Sequence, residues 1–267
     1  MTKVNDVYEY LKSIAPIEMA VETDNVGFLV GNSSAGVSKI LVSLDITGDV
    51  ITEALEIGAE LIVAHHPMFF SLTCVNDTDI IGKKVVRMLA GGISAVCMHT
   101  NLDAARGGVN DALAVAVGIA DDDRKAEPLS DDNRLDSGEV VSLGRLGYLK
   151  KACSMPEYLA MLKKRLNVNG LRYYDAGRNV HKVAISSGAG GGEWDNAVKS
   201  NCDTFVTADI KYHMFLDAKE LGINIIDAGH FSTENLVSDV LVEKLSEEFP
   251  GVKVVISKLL DQTISFC

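Results

Sequence analysis

The chain has 267 residues, enough for one large or two medium domains, and 47 % of them are apolar, which is ample for a packed core. Its formal net charge of −12 weighs against nucleic-acid backbones and anionic membranes, which need a basic surface, but leaves room for a small anionic substrate held by metal ions. Five cysteines, odd in number and without a CxxC pair, argue against a disulfide framework or a zinc ribbon and fit a reducing cytosol.

Val4, Val7, Tyr8, Leu11 and Ile14 recur at helical spacing, and Pro16 closes that first helix. Asp24-Asn25-Val26-Gly27-Phe28-Leu29-Val30-Gly31 reads as a turn entering a short strand, with Asp24 and Asn25 as turn formers. Lys39 to Asp45 is a strand, and a helix from about Asp49 to Ile57 is stopped by Gly58. Leu61-Ile62-Val63-Ala64 is an apolar run with the length of a buried strand, and Pro67 ends it just after His65 and His66. Two imidazoles therefore stand at the C-terminal end of a core strand, the edge where open α/β sheets bind ligands. A helix over Ile80 to Ala90, a strand over Ile93 to Met98 and the segment His99-Thr100-Asn101-Leu102-Asp103 follow, then a helix around Val109 to Val117.

Residues 121–139 are acidic and polar, interrupted by Pro128 and Gly138, and read as a domain junction or exposed loop. Val140 to Leu149 is a strand or hairpin, and Pro156 starts a helix that runs to Leu166. Short strands at Leu171 to Tyr174 and His181 to Ser186 lead to the run Gly188 to Gly192, which is a tight turn or a weak candidate for cradling a phosphate. Helices near Trp194 to Lys199 and Met214 to Leu221 alternate with strands Asp203 to Thr207 and Ile223 to Asp227. The last strand opens into Gly229-His230-Phe231-Ser232-Thr233-Glu234, and a helix from about Glu234 to Phe249 precedes a strand over Val252 to Ser257. Alternating strands and helices with short links predict an α/β fold with mostly parallel, mixed sheets.

The two halves repeat. Lys39-Ile40-Leu41-Val42-Ser43 matches Lys182-Val183-Ala184-Ile185-Ser186, and Glu60-Leu61-Ile62-Val63 matches Asp203-Thr204-Phe205-Val206 at the same offset. His99 pairs with His230 at a shorter offset, so the first half carries extra residues near 67 to 92. The unit is too long for a solenoid and reads as two related α/β halves. The first is residues 1–125 and the second 126–267, with the segment from about 230 a candidate to pack back on the first.

The repeat sharpens the chemistry. His99 and Asp103 stand four apart, as do His230 and Glu234, so each pair shares one helix face if it opens a helix. Imidazole nitrogen with carboxylate oxygen is an ordinary shell for zinc, iron or manganese. Asp103 also suits the first turn of a helix, and Ser232 or Thr233 with Glu234 suits a capping box. The coincidence of such residues at three strand ends points to metal.

The stretches DNVGFLVG, AHHP, HTNLD, TADIKYH and DAGHFSTE resemble the motifs of the GTP cyclohydrolase type 2 homologue family, the Nif-three-like dinuclear metal-centre proteins, from about residue 3 to 260. AHHP combined with a distant GHxxTE is the specific part. The resemblance implies two intertwined α/β halves and two divalent ions per chain, with His65 and Asp103 on one, His66 and His230 on the other, and Glu234 bridging both. It also implies a toroidal homohexamer. Thr23 and Asp209 depart from the family's usual Trp and Glu at those positions, without touching the five implied ligands. His99 is either a sixth ligand or a partner orienting Asp103. His213 lines the cleft or the surface, and His181 starts a strand on the wrong edge.

A metal-dependent hydrolase of a nucleotide-like small molecule is the first expectation. A non-catalytic metal-binding scaffold comes second and a metal-free nucleotide-binding module third. No apolar run approaches the roughly 18 residues of a bilayer span, and the N-terminus carries no signal-peptide pattern. A cytoplasmic protein with no membrane or nucleic-acid partner is expected.

Overall fold

The computed structural model describes residues 1–131 and 133–265. It is an α/β fold with two mixed sheets and divides into two compact units.

The first unit comprises Met1–Arg106 and Val237–Asp261. Its five-stranded sheet runs Gly27–Val30, Ser94–Cys97, Leu61–Ala64, Lys39–Ser43, Lys253–Ile256. Every pairing is parallel except that of the first edge strand with Ser94–Cys97. Leu61–Ala64 and Ser94–Cys97 are buried at every position, as central parallel strands covered on both faces must be. Helix Gly48–Ile57 begins where Thr47 Oγ1 accepts the Val50 N–H and ends at Gly58, which takes the left-handed conformation at φ 67°. Asp79 caps helix Ile80–Ala90 in the same manner. The register aligns Ser43 with Ala64 and Ala64 with Cys97. The residues that follow (Asp45, His65 with His66, and His99) therefore leave one edge of the sheet together.

The second unit comprises Gly107–Leu236 and the segment beginning at Gln262. Its six-stranded sheet runs Glu127–Pro128, Arg145–Cys153, Val180–Ile185, Thr204–Thr207, Asn224–Asp227, Arg172–Tyr174. The three strands from Val180–Ile185 to Asn224–Asp227 are parallel, Arg145–Cys153 and Arg172–Tyr174 run antiparallel to them, and Glu127–Pro128 runs antiparallel to Arg145–Cys153. Leu113, Tyr158, Leu162 and Val183 pack in one core cluster, and Trp194, Phe205, Ala218 and Ile225 in another.

Three sequence expectations shift. The strand expected over Val140 to Leu149 is two pieces: Val140–Val141 pairs with Asn133–Arg134, and Arg145–Cys153 runs on past Leu149. Gly147 permits the longer strand, because a Cβ there would lie 2.9 Å from the Ile119 carbonyl oxygen. Within 121–139, buried Ala126 and Leu129 flank an edge strand, and Pro128 occupies an edge position that proline tolerates. The helix expected from Glu234 is preceded by a separate single turn, His230–Glu234, before Leu236–Glu248.

The internal repeat is visible bond by bond. Glu60 accepts the N–H groups of Ser38 and Lys39 at 3.1 and 2.9 Å, and Asp203 accepts those of His181 and Lys182 at 3.1 and 2.7 Å. The Lys39 ammonium donates to the Ile57 carbonyl, and the Lys182 ammonium donates to that of Ser200. Each unit thus ties the start of one strand to the start of the next and to the end of the intervening helix.

Candidate metal centre

In the first unit the apolar strand Leu61–Ala64 delivers His65, which is fully buried, and His66, which is partly so. Their backbone N–H groups still pair with Ser43 and Leu44, so the sheet register fixes both residues. The neighbouring strand delivers His99 as the N-cap of the single turn Thr100–Ala104. The Asp103 N–H donates to the His99 carbonyl at 3.0 Å, which sets Asp103 one turn on, as the i, i+4 spacing requires. The rings of His65, His66 and His99 lie 5.0 to 5.5 Å apart, and one ring nitrogen from each falls within 4.8 Å of the others.

Each imidazole is held from behind. His65 Nδ1 stands 2.8 Å from the Met98 carbonyl oxygen, an atom that only accepts, so Nδ1 carries the proton and Nε2 the lone pair. His66 Nδ1 meets Asp45 Oδ1 at 2.8 Å, and His99 Nδ1 lies 2.9 Å from both oxygens of Asp24. Burial works against ionising Asp24, but the donors on His99 and Thr100 outweigh it and hold its carboxyl well below the usual carboxylate range. Acceptors at Nδ1 that leave Nε2 turned outward are the arrangement of metal-ligating histidines. His65 Nε2 and Asp103 Oδ1 are 3.7 Å apart, too far for a hydrogen bond. That spacing suits two ligands each about 2.0–2.2 Å from a common ion. Cys97 Sγ donates to the His66 carbonyl at 3.2 Å, and burial pushes its thiol up to about 12.

The second unit carries a smaller set. Strand Asn224–Asp227 is followed by Ala228 and Gly229, whose φ of 85° turns the chain into the helical turn His230–Glu234. His230 Nδ1 meets Asp209 Oδ2 at 2.7 Å, and His230 Nε2 faces Glu234 Oε2 at 2.9 Å. With Nδ1 committed to one carboxylate, Nε2 and a second, buried carboxylate converge on a place suited to a positive charge, either a proton or a cation. Gly188 makes room for that carboxylate: a Cβ on it would lie 1.8 Å from Glu234 Oε1. The glycine run also has a packing role at Gly190, where a Cβ would collide with Ser186 and Thr207. The N–H groups of Gly188 and Gly190 already donate to Thr233 Oγ1 and to the Gly188 carbonyl, so neither is directed at a ligand phosphate.

The structure therefore brings His65, His66 and Asp103 together in the first unit, with His99, and His230 with Glu234 in the second. His213 is exposed on helix Tyr212–Leu221, and His181 is exposed with its ring against Tyr148. Asp24 and Asp45 were not anticipated as imidazole partners. For Asp45 a signal existed, because it follows the strand paired with Leu61–Ala64 and so falls beside His66.

The model of the Duf34/NIF3 (NGG1p interacting factor 3) family matches residues 2–262. A Clostridium perfringens protein described as a GTP cyclohydrolase 1 type 2 homolog is 36 % identical over 96 % of this chain and 96 % of its own. A Lactococcus lactis protein of the same description is 32 % identical over 94 % of this chain and 95 % of its own. Among solved structures, a Bacillus cereus protein related to NIF3 superposes with a TM-score of 0.90 at 23 % identity, covering 100 % of this chain and 99 % of that one, a likeness of fold. Reduced HcgD from Methanocaldococcus jannaschii gives 0.81 at 28 % identity, covering 97 % and 98 %. With a family match over almost the whole length and relatives above 30 % identity end to end, the chain belongs to the Duf34/NIF3 family.

Proposed function

We propose that the chain binds two divalent ions and is a metal-dependent hydrolase acting on a nucleotide-like small molecule. Four imidazoles, each with Nδ1 committed to a protein acceptor, are the main support. In this reading, which follows the family resemblance, His65 and Asp103 hold one ion, His66 and His230 the other, and Glu234 serves both. Met98, Asp45 and Asp209 orient the rings, and Asp24 sets His99 beside His65 and His66 as a further ligand or a positioning group. Two such ions, when bound, supply Lewis acidity and lower the pKa of a coordinated water toward neutrality. The relatives' name, GTP cyclohydrolase 1 type 2 homolog, directs the substrate search to purine nucleotides. The homohexamer implied by the resemblance belongs to the same proposal and is read by sedimentation.

A second reading, a metal-binding scaffold without turnover, draws on one observation. Asp24 and Asp45 already accept from His99 and His66, so these two carboxylates are engaged in positioning rather than set aside as general acids. Metal analysis of the purified protein is expected to give about two ions per chain. Turnover of GTP and of a phosphodiester panel should then disappear in His66→Ala. Bound metal without turnover of any nucleotide favours the scaffold. Activity that survives His66→Ala defeats the dinuclear reading, and folded, metal-free protein with full activity defeats both.

A further inference from the structure

The second unit contains a cavity that the metal reading does not use. It has a volume of about 600 Å³, within the range of small-molecule sites. The apolar part of its wall includes Val115, Leu149 and Met161. Its charged lining runs against the rest of the molecule: Arg124, Lys150, Lys151 and Arg165 against the single carboxylate of Asp121, in a chain of net charge −12.

Three of these cations are held by hydrogen bonds or ion pairs. Arg124 donates to the Tyr148 carbonyl at 2.6 Å and to Asp121 Oδ2 through Nε and Nη2 at 3.0 and 2.9 Å. Lys150 Nζ reaches the same Asp121 oxygen at 3.0 Å. Hydrogen bonds from Arg124 and Lys150 bring the Asp121 carboxyl down to about 2, so it is fully ionised and offsets one of the four charges. Arg165 Nη1 donates to the Val115 and Ala116 carbonyls at 3.3 Å, quenching the negative end of helix Val109–Ala116 where it meets the cavity. Gly118 lines the cavity at φ 88°, a left-handed conformation that favours glycine.

We propose that this cavity is a binding site for a small organic phosphate: an anion of two or three charges on an apolar body. A surplus of three positive charges over Asp121 matches a phosphate monoester or diphosphate, and the Leu149 and Met161 wall matches a ring or acyl group. The site shares no residue with the histidine clusters and would hold a regulator or a second substrate rather than the group hydrolysed at a metal.

The test uses the full-length protein, freed of metal with chelator, titrated calorimetrically with ADP at low salt and with uncharged adenosine as control. Saturable ADP binding is expected, weakening as salt rises and falling about tenfold or more in Lys151→Glu and in Arg165→Gln. His66→Ala should bind as the wild type does. Lys151 is exposed, so its variant is expected to keep the wild-type unfolding midpoint and to separate charge from folding. No saturable binding, binding unchanged in both cavity variants, or binding lost in His66→Ala would each overturn the proposal.

Discussion

Gly188 is where the backbone of the second unit gives way to a side chain. Its φ of 55° is left-handed, and its missing Cβ is the space that Glu234 Oε1 occupies. Gly188→Ala therefore combines a backbone penalty with a collision against a buried carboxylate, and a loss of ~1–3 kcal/mol is expected. The unfolding midpoint should fall, and bound metal should fall with it, because Glu234 must move. A variant with wild-type midpoint and metal content would remove Gly188 from the site. The sequence marked this glycine only as part of a turn-like run, since a close approach from residues far along the chain leaves no local trace. The histidines were readable because an apolar strand stopped by proline is a local signal. Asp24 was not: in DNVG its turn chemistry is satisfied locally, which masks the bond to His99 that folding adds.

Among elements, the repeat is the feature most fully readable beforehand, because its matched strands also match in their hydrogen bonds. Glu60 shows what such a clamp contributes. Burial draws its pKa upward, but the Ser38 hydroxyl and the Ser38 and Lys39 N–H groups favour the carboxylate more, and the net value is lowered. A folded-state pKa below the unfolded one gives stability that is present above the ordinary carboxylate range and is lost as pH falls through it. Glu60→Gln removes the charge, so it should cost a solvent-screened ~0.5–1 kcal/mol at about pH 7 and less at about pH 4, as read from urea midpoints. A cost that grows on acidification would contradict the clamp. The elements that escaped sequence reading are those too short for periodicity, including the single turns Thr100–Ala104 and His230–Glu234 and the edge strand Glu127–Pro128. Their positions are set by packing and register, which an eleven-residue pattern window averages away.

For the whole molecule, the ligands of the proposed function span residues 65 to 234, so an unfolded chain cannot gather them. Ions that bind only the folded chain must stabilise it by mass action, by ~2.7 kcal/mol at a hundredfold excess over Kd. Electrostatics acts in the same direction. A chain at −12 repels itself, and the two divalent ions of the proposed function would return four positive charges to it. Stripping metal should therefore lower the unfolding midpoint, and adding zinc or manganese should raise it progressively with concentration. Glu234→Gln should lose that concentration dependence while leaving most of the metal-free stability intact, because a neutral amide keeps the volume beside Gly188 but not the charge. The comparison separates a ligand from a structural carboxylate. If the metal-free wild type and Glu234→Gln unfold alike and only the wild type responds to the ion, Glu234 is a ligand. If the variant responds equally, the bridging role assigned to it is wrong.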